Sequence, residues 1–245
     1  MLFELIVAGL VVGAISGFFG VGGGTILVPI LLFLGLDIKE AIGISVVQMV
    51  FSSVFGSYLN YKKGTLKLSK SIFFGIGGAI GAMGSGYIVH TLSSKALSYI
   101  FLGVVIFAIY RFFRSTHSDG KNAIENRALY LAIGILIGLF ATSIGIGGAL
   151  ILTPVMVGFL HHELKSAVSA ALFFVVFSSI SGLISLSMYG HIDFYKGLII
   201  GVSSLIGVFI GIEFAHKTDA KRHKKLILIL YILILFLMIN KLMGS

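Results

Sequence analysis

Two stretches of this chain hold residue types that can bind an ion without themselves titrating. Gly20 to Pro29 reads Gly-Val-Gly-Gly-Gly-Thr-Ile-Leu-Val-Pro, and Gly145 to Pro154 reads Gly-Ile-Gly-Gly-Ala-Leu-Ile-Leu-Thr-Pro. Both fit Gly-x-Gly-Gly-x-x-Ile-Leu-x-Pro, and Pro29 and Pro154 are the only prolines in the chain. A glycine cluster disfavours helix, so each stretch predicts a break that opens onto a short helix beginning near Gly24 or Ala149. A helix start offers unpaired N–H groups and the positive end of a dipole, which suits an anion. The residues placed at such a site are Gly20, Gly22, Gly23, Gly24 and Thr25 in one copy and Gly145, Gly147, Gly148 and Ala149 in the other. The plainer role for membrane glycines is close helix packing. Gly77, Gly78, Gly81 and Gly84, at three- and four-residue spacings, fit that role. A dinucleotide fingerprint would need strand–helix–strand context and a ribose-binding acid, and neither follows.

Hydroxyls and one amide form the second group. Ser45, Gln48 and Ser52 fall at i, i+3 and i+7, on one face of a helix, as do Ser178, Ser181 and Ser185. Phe174 stands where Gln48 stands in the other half, so a shared site would be asymmetric. Neutral donors can hold an anion without trapping it as a buried lysine would. Gln48, Ser52, Ser53, Ser178 and Ser179 therefore join the expected site, with interhelical hydrogen bonding the alternative for any single serine. Glu213, about one turn from a helix end, is the candidate for proton coupling, against simple snorkelling to the interface. The histidines fall on opposite sides of the topology derived below, and there is no cysteine, so no metal or cofactor is expected. Gly84-Ser85-Gly86 falls short of a nucleophile elbow, and an enzyme is not expected.

Long apolar elements must carry these groups. The 245 residues are 58% hydrophobic and 11% charged, with mean hydropathy +1.10. Soluble domains carry about 25% charged residues, so this is an integral membrane protein. Its apolar runs are continuous rather than alternating, which predicts all-α spans, not a β-barrel. The net charge of +9 sits in loops. It reads as orientation and contact with anionic lipid rather than nucleic-acid binding. Nothing resembles a cleaved signal peptide.

Ten segments are predicted. The first half (residues 1–113) has Leu2 to Phe19, Thr25 to Leu36, Lys39 to Tyr61, Leu68 to His90 and Ala96 to Phe113. After a polar cytoplasmic linker (114–127), the second half (128–245) has Ala128 to Ser143, Ala149 to Leu160, Leu164 to Tyr189, Phe194 to His216 and Leu226 to Lys241. The halves repeat at an offset of 125 residues at the prolines and 126 from Phe51-Ser52-Ser53 and Phe177-Ser178-Ser179 onward. The loops around Lys62, from Arg111 to Arg127 and from His216 to Lys225 are basic and expected inside, whereas those at Lys95 and His191 are expected outside. Equivalent loops then face opposite ways. That predicts two inverted repeats of about five segments, both termini outside, with short broken or re-entrant helices at the glycine motifs.

The paired glycine motifs, each followed by proline, and the repeated serine-rich third segment resemble the sulfite exporter TauE/SafE family of membrane permeases, from about Leu10 to Leu237. The resemblance implies a secondary transporter of a small sulfur-containing anion such as sulfite or an organosulfonate, in a bacterial or archaeal plasma membrane. Ala149 in place of Gly24 leaves open whether both helix starts meet substrate equally. The alternatives are an anion channel using the same site and a carrier of a different small anion. The drive would be the substrate gradient, a coupled H+ or Na+, or the membrane potential, which gives an exported monoanion about 2.3 kcal/mol at −100 mV. Assembly as a homo-oligomer is left open by the sequence.

Overall fold

The computed structural model describes residues 2–114, 123, 124 and 126–243, and all regular structure among them is helical. The first half contains α1 (Leu2–Phe19), α2 (Gly24–Phe33), α3 (Ile38–Lys62), α4 (Leu68–Ala82), α5 (Ser85–Thr91) and α6 (Ser94–Arg114). The second contains α7 (Arg127–Ser143), α8 (Ala149–Gly158), α9 (Leu164–Met188), α10 (Phe194–Lys217) and α11 (Ala220–Met243). Most of the linker, 115–122 and 125, lies outside the described residues. Seven stretches are long and apolar enough to cross a membrane. Large apolar side chains such as Phe3, Phe107, Ile206 and Phe236 face outward, while Thr25, Ser45, Gln48 and Ser178 are fully buried. Polar inside and apolar outside is the distribution for a protein that spans a bilayer.

Two boundaries differ from expectation. The predicted helix from Leu68 to His90 is interrupted at Met83 and Gly84, giving α4 and α5. The break is satisfied from outside: Ser185 Oγ donates to the Met83 carbonyl (2.6 Å) and accepts from Gly86 N–H (2.9 Å). The predicted helix from Leu226 instead begins at Ala220, because Asp219 caps it by accepting from Arg222 N–H. The basic run read as loop is thus helical, and His223 sits in its first turn.

The two halves interlock. α1 packs on α10 and α4 on α7; α3 packs on α10 and α4 on α9; α2 lies on α3 and α8 on α9; α6 touches α8 and α11 touches α2. Every one of these pairs has its counterpart when the halves are exchanged, and α3 against α9 maps onto itself. Glycines make the approach close. A Cβ on Gly13 or Gly17 would strike the backbone of Ser204 or Val208, and one on Gly77 or Gly81 would strike that of Leu131 or Ile135. Gly84 would meet Leu139 on the same helix, α7. The packing role expected for Gly77, Gly78, Gly81 and Gly84 is what these contacts describe.

Hydrogen bonds and ion pairs separate two polar ends. At one, Lys39 reaches the His90 carbonyl, Ser94 donates to Asp37, and Lys196 pairs with Glu40 and Asp193. At the other, Lys63 pairs with Glu213, Lys165 reaches the His216 carbonyl, and Ser169 donates to Thr65. The turn after α3 therefore lies at the opposite end from the turn after α9.

Candidate functional site

The chain leaves α1 through Gly20 (φ 63°) and Gly22 (φ 68°), and leaves α7 through Gly145 (φ 74°), Gly147 (φ 69°) and Gly148 (φ 92°). Left-handed backbone is what glycine alone adopts freely, so these five glycines are needed for the breaks themselves. The helices that follow are ten residues each, about 15 Å long. Each has its proline at the sixth position. Pro154 frees the Leu150 carbonyl from its ladder, and the buried Tyr231 hydroxyl donates to that oxygen at 3.1 Å. Neither helix start has a side-chain cap.

The two breaks meet in the protein interior. A Cβ on Gly24 would overlap the Gly145 carbonyl oxygen. Ser45 Oγ donates to that same oxygen at 3.1 Å, and Ser178 Oγ donates to the Gly147 carbonyl at 2.9 Å. Met49 of α3 and Val175 of α9, equivalent positions in the repeat, fill the space between: both lie 3.5 Å from where a Gly22 Cβ would be, and both also pack on Gly147.

The environments of the two helix starts differ most in polarity at the equivalent residues Gln48 and Phe174. A Cβ on Gly23 would overlap the Gln48 amide, and one on Gly148 would lie 2.5 Å from the Phe174 ring. Gln48 is 0% exposed, and neither its Nε2 nor its Oε1 has a hydrogen-bond partner among the described residues. A buried amide without partners is costly, about 1–3 kcal/mol. It stands beside an uncapped helix start, so donors converge there with nothing to receive them.

The remaining expected site residues divide. Thr25 Oγ1, in the first turn of α2, donates back to Val21 O in the break. Ser52, Ser53 and Ser179 bond carbonyls of their own helices, three residues back. Ser181 and Ser185 instead link α9 to α4 and to the break before α5, through Ala79 O and Met83 O. Glu213 lies apart from the glycine breaks, 36% exposed, with its carboxylate 2.5 Å from Lys63 Nζ. Among the described residues no group of three or more His, Asp or Glu could hold a metal. Met49 and Val175 were not anticipated. Their only signal was adjacency to Gln48 and Phe174 in the repeat, and apolar residues next to polar ones attract no notice in a membrane helix.

The profile of the family described as sulfite exporter TauE/SafE matches residues 5–238. The probable membrane transporter protein YunE of Bacillus subtilis is 25% identical over 94% of both chains. A probable membrane transporter protein of Methanocaldococcus jannaschii is 25% identical over 89% of this chain and 87% of its own. YjnA of Bacillus subtilis, named in the same way, is 26% identical over 85% and 88%. No solved structure gives a significant match. With its glycine breaks buried among apolar spans and the family profile covering nearly its whole length, this chain belongs to the sulfite exporter TauE/SafE family and is a multi-pass membrane transporter.

Proposed function

We propose that the protein is a secondary transporter of a small sulfur-containing anion, sulfite or an organosulfonate. The anion is held where the starts of α2 and α8 converge and is released to alternate sides. The observation that carries this reading is Gln48: a fully buried amide with no partner, packed on Gly23 at the uncapped start of α2. An anion there would accept from the Gln48 Nε2 and from helix N–H groups, satisfying donors that the protein leaves idle. Reciprocal contacts between the halves and their equivalent turns at opposite ends favour inverted repeats. Met49 and Val175 fill the gap between the breaks, which favours a carrier over an open channel. Methionine is flexible enough to swing aside when substrate enters. By charge, the end carrying Lys62, Lys63, Lys165, Lys217 and Arg222 faces the cytoplasm of a bacterial or archaeal cell.

The test is counterflow of labelled sulfite in proteoliposomes. Saturable counterflow that Gln48→Leu abolishes, in a variant that elutes and melts like wild type, supports the reading. Undiminished counterflow in Gln48→Leu removes the site. Flux that never saturates makes the protein a channel. Absence of flux for sulfite, thiosulfate and simple sulfonates removes the substrate class.

A further inference from the structure

A cavity of about 20 Å³ lies at the basic end, lined by Asn60, Thr65, Lys165, Ser169, His216 and His223, among others. That volume holds about one water. Gly17 and Val168 also border it. A Cβ on Gly20 would run into Val168, so the cavity's inner wall is shared with the first glycine break.

His223 is the unusual member. It is 1% exposed. Its Nε2 lies 2.8 Å from the Phe18 carbonyl oxygen, and a carbonyl only accepts, so Nε2 carries the proton. Nδ1 is then the free position, and it has no partner among the described residues. A buried, unpartnered ring nitrogen on a residue that borders a water-sized cavity is placed to take up a proton. The carbonyl it grips belongs to Phe18, two residues before Gly20, and its ring packs on Phe18 at 5.0 Å between centroids. A change of charge on His223 is therefore felt at the chain segment that enters the break.

The groups around it decide when that proton arrives. Lys165 of α9 and His216 of α10 face the cavity, and Lys165 Nζ donates to the His216 carbonyl at 3.1 Å. His216 Nε2 meets Asn60 Oδ1 of α3 at 3.2 Å. Beyond them Lys63 and Glu213 are paired with each other. On its own helix Lys224 lies over the Phe112 ring of α6, and Arg222 pairs with Asp219. α1 brings Gly17 and the rings of Phe18 and Phe19, none of which titrates. Among the described residues no acid lines the cavity, so a positive charge on His223 beside the Lys165 ammonium is opposed. An oxyanion between them removes that opposition. We propose that His223 is the proton site of this transporter and that it takes up its proton together with an oxyanion, a sulfonate or sulfite, bound at the cytoplasmic mouth between Lys165 and His216. The role expected for Glu213 passes to His223, which borders a cavity whereas Glu213 is held in an ion pair at the rim. This rests on the transport reading above; coupling between the two ligands is reciprocal by linkage.

The experiment uses histidine-labelled full-length protein in nanodiscs, with the His223 signal assigned by its loss in His223→Gln. Its titration midpoint is followed by nitrogen NMR with and without methanesulfonate, whose charge is fixed across the range. A coupling of about tenfold would raise the midpoint by about one pH unit when the anion is present. Lys165→Gln should shrink that rise. A His223 signal that does not titrate, or titrates identically with and without anion, overturns the proposal whether or not transport is seen. In proteoliposomes, His223→Gln, its amide still able to donate to Phe18, loses accumulation driven by an imposed pH gradient, and its counterflow saturates at a higher sulfite concentration because the linked proton is gone. Retained pH-driven accumulation in that variant overturns the proposal while leaving the carrier standing. A shifted midpoint without any counterflow removes the carrier and keeps the linked site.

Discussion

The first and second glycine breaks are copies in sequence and neighbours in space, yet they are built for different work. At the second, Phe174 covers Gly148, Ser178 holds the Gly147 carbonyl, and Tyr231 takes the carbonyl that Pro154 frees. Each polar atom named there has a partner, and an aromatic ring seals the start of α8. At the first, the position of that ring is held by Gln48, whose amide has no partner. The second break is arranged as a structural element and the first as a place with unmet hydrogen bonds. Both copies are left-handed at their first and third residues, Gly20 and Gly22 or Gly145 and Gly147, but Gly148 is left-handed where Gly23 is right-handed. The exchange of Gln48 for Phe174 on the neighbouring helix then sets a candidate binding surface apart from a sealed helix start.

That contrast is sharpest at the two equivalent residues. Phe174→Ala should destabilise the protein by about 3–5 kcal/mol, because it opens a cavity between Gly148 at the start of α8 and Gly78 of α4. Gln48→Leu, of similar volume to the amide, should leave the melting temperature unchanged or raised while transport is lost. Thermal unfolding in detergent beside counterflow measures both. Equal destabilisation by the two changes would end the division of roles.

A smaller difference is expected at the first residues of α2 and α8. Gly24→Ala drives a methyl group into the Gly145 carbonyl, a backbone atom that Ser45 also holds, and should cost about 1–3 kcal/mol. Ala149→Gly should cost less, about 1 kcal/mol, from backbone freedom alone. Melting temperatures in the same detergent give the comparison, and an innocuous Gly24→Ala would show that the breaks are looser than drawn. Ser45→Ala and Ser178→Ala each remove one bond to a break carbonyl and should cost about 1 kcal/mol apiece. Only the change beside the substrate path should also alter the concentration at which counterflow saturates.

The smallest contrast is between the turns after α3 and α9. Thr65 there accepts from Ser169, whereas its equivalent, His191, is an imidazole held below its usual range by burial and then by Lys39. The unfolded chain therefore binds that proton more readily than the folded one. His191 adds a stability increment that is complete above about pH 6.5 and is lost as pH falls below it. His191→Gln should flatten the unfolding midpoint between about pH 6.5 and 5 relative to wild type. Thr65→Gln should leave that slope alone. An unchanged slope in His191→Gln would mean that other groups set it.

Composition and repetition were enough to establish a helical membrane protein with two matched glycine breaks followed by short helices. Those properties depend on local causes: continuous apolar runs, backbone that only glycine adopts, and proline at a fixed offset. The asymmetry at Gln48 and Phe174 was also legible, since it needs only alignment of the halves. What sequence did not decide was who faces whom. Ser185 reads like Ser178, but one mends the break between α4 and α5 and the other holds Gly147. Met49 is one apolar residue among many in its helix, and packing makes it the plug between the breaks. His223 reads as part of a basic loop, and a cap at Asp219 turns it into a buried helix residue gripping the Phe18 carbonyl, 205 positions away in the chain. Local periodicity specifies which residues can form a helix and which face is apolar. The neighbour that a given face meets depends on how the two halves cross, and that is settled by contacts between residues a hundred or more positions apart.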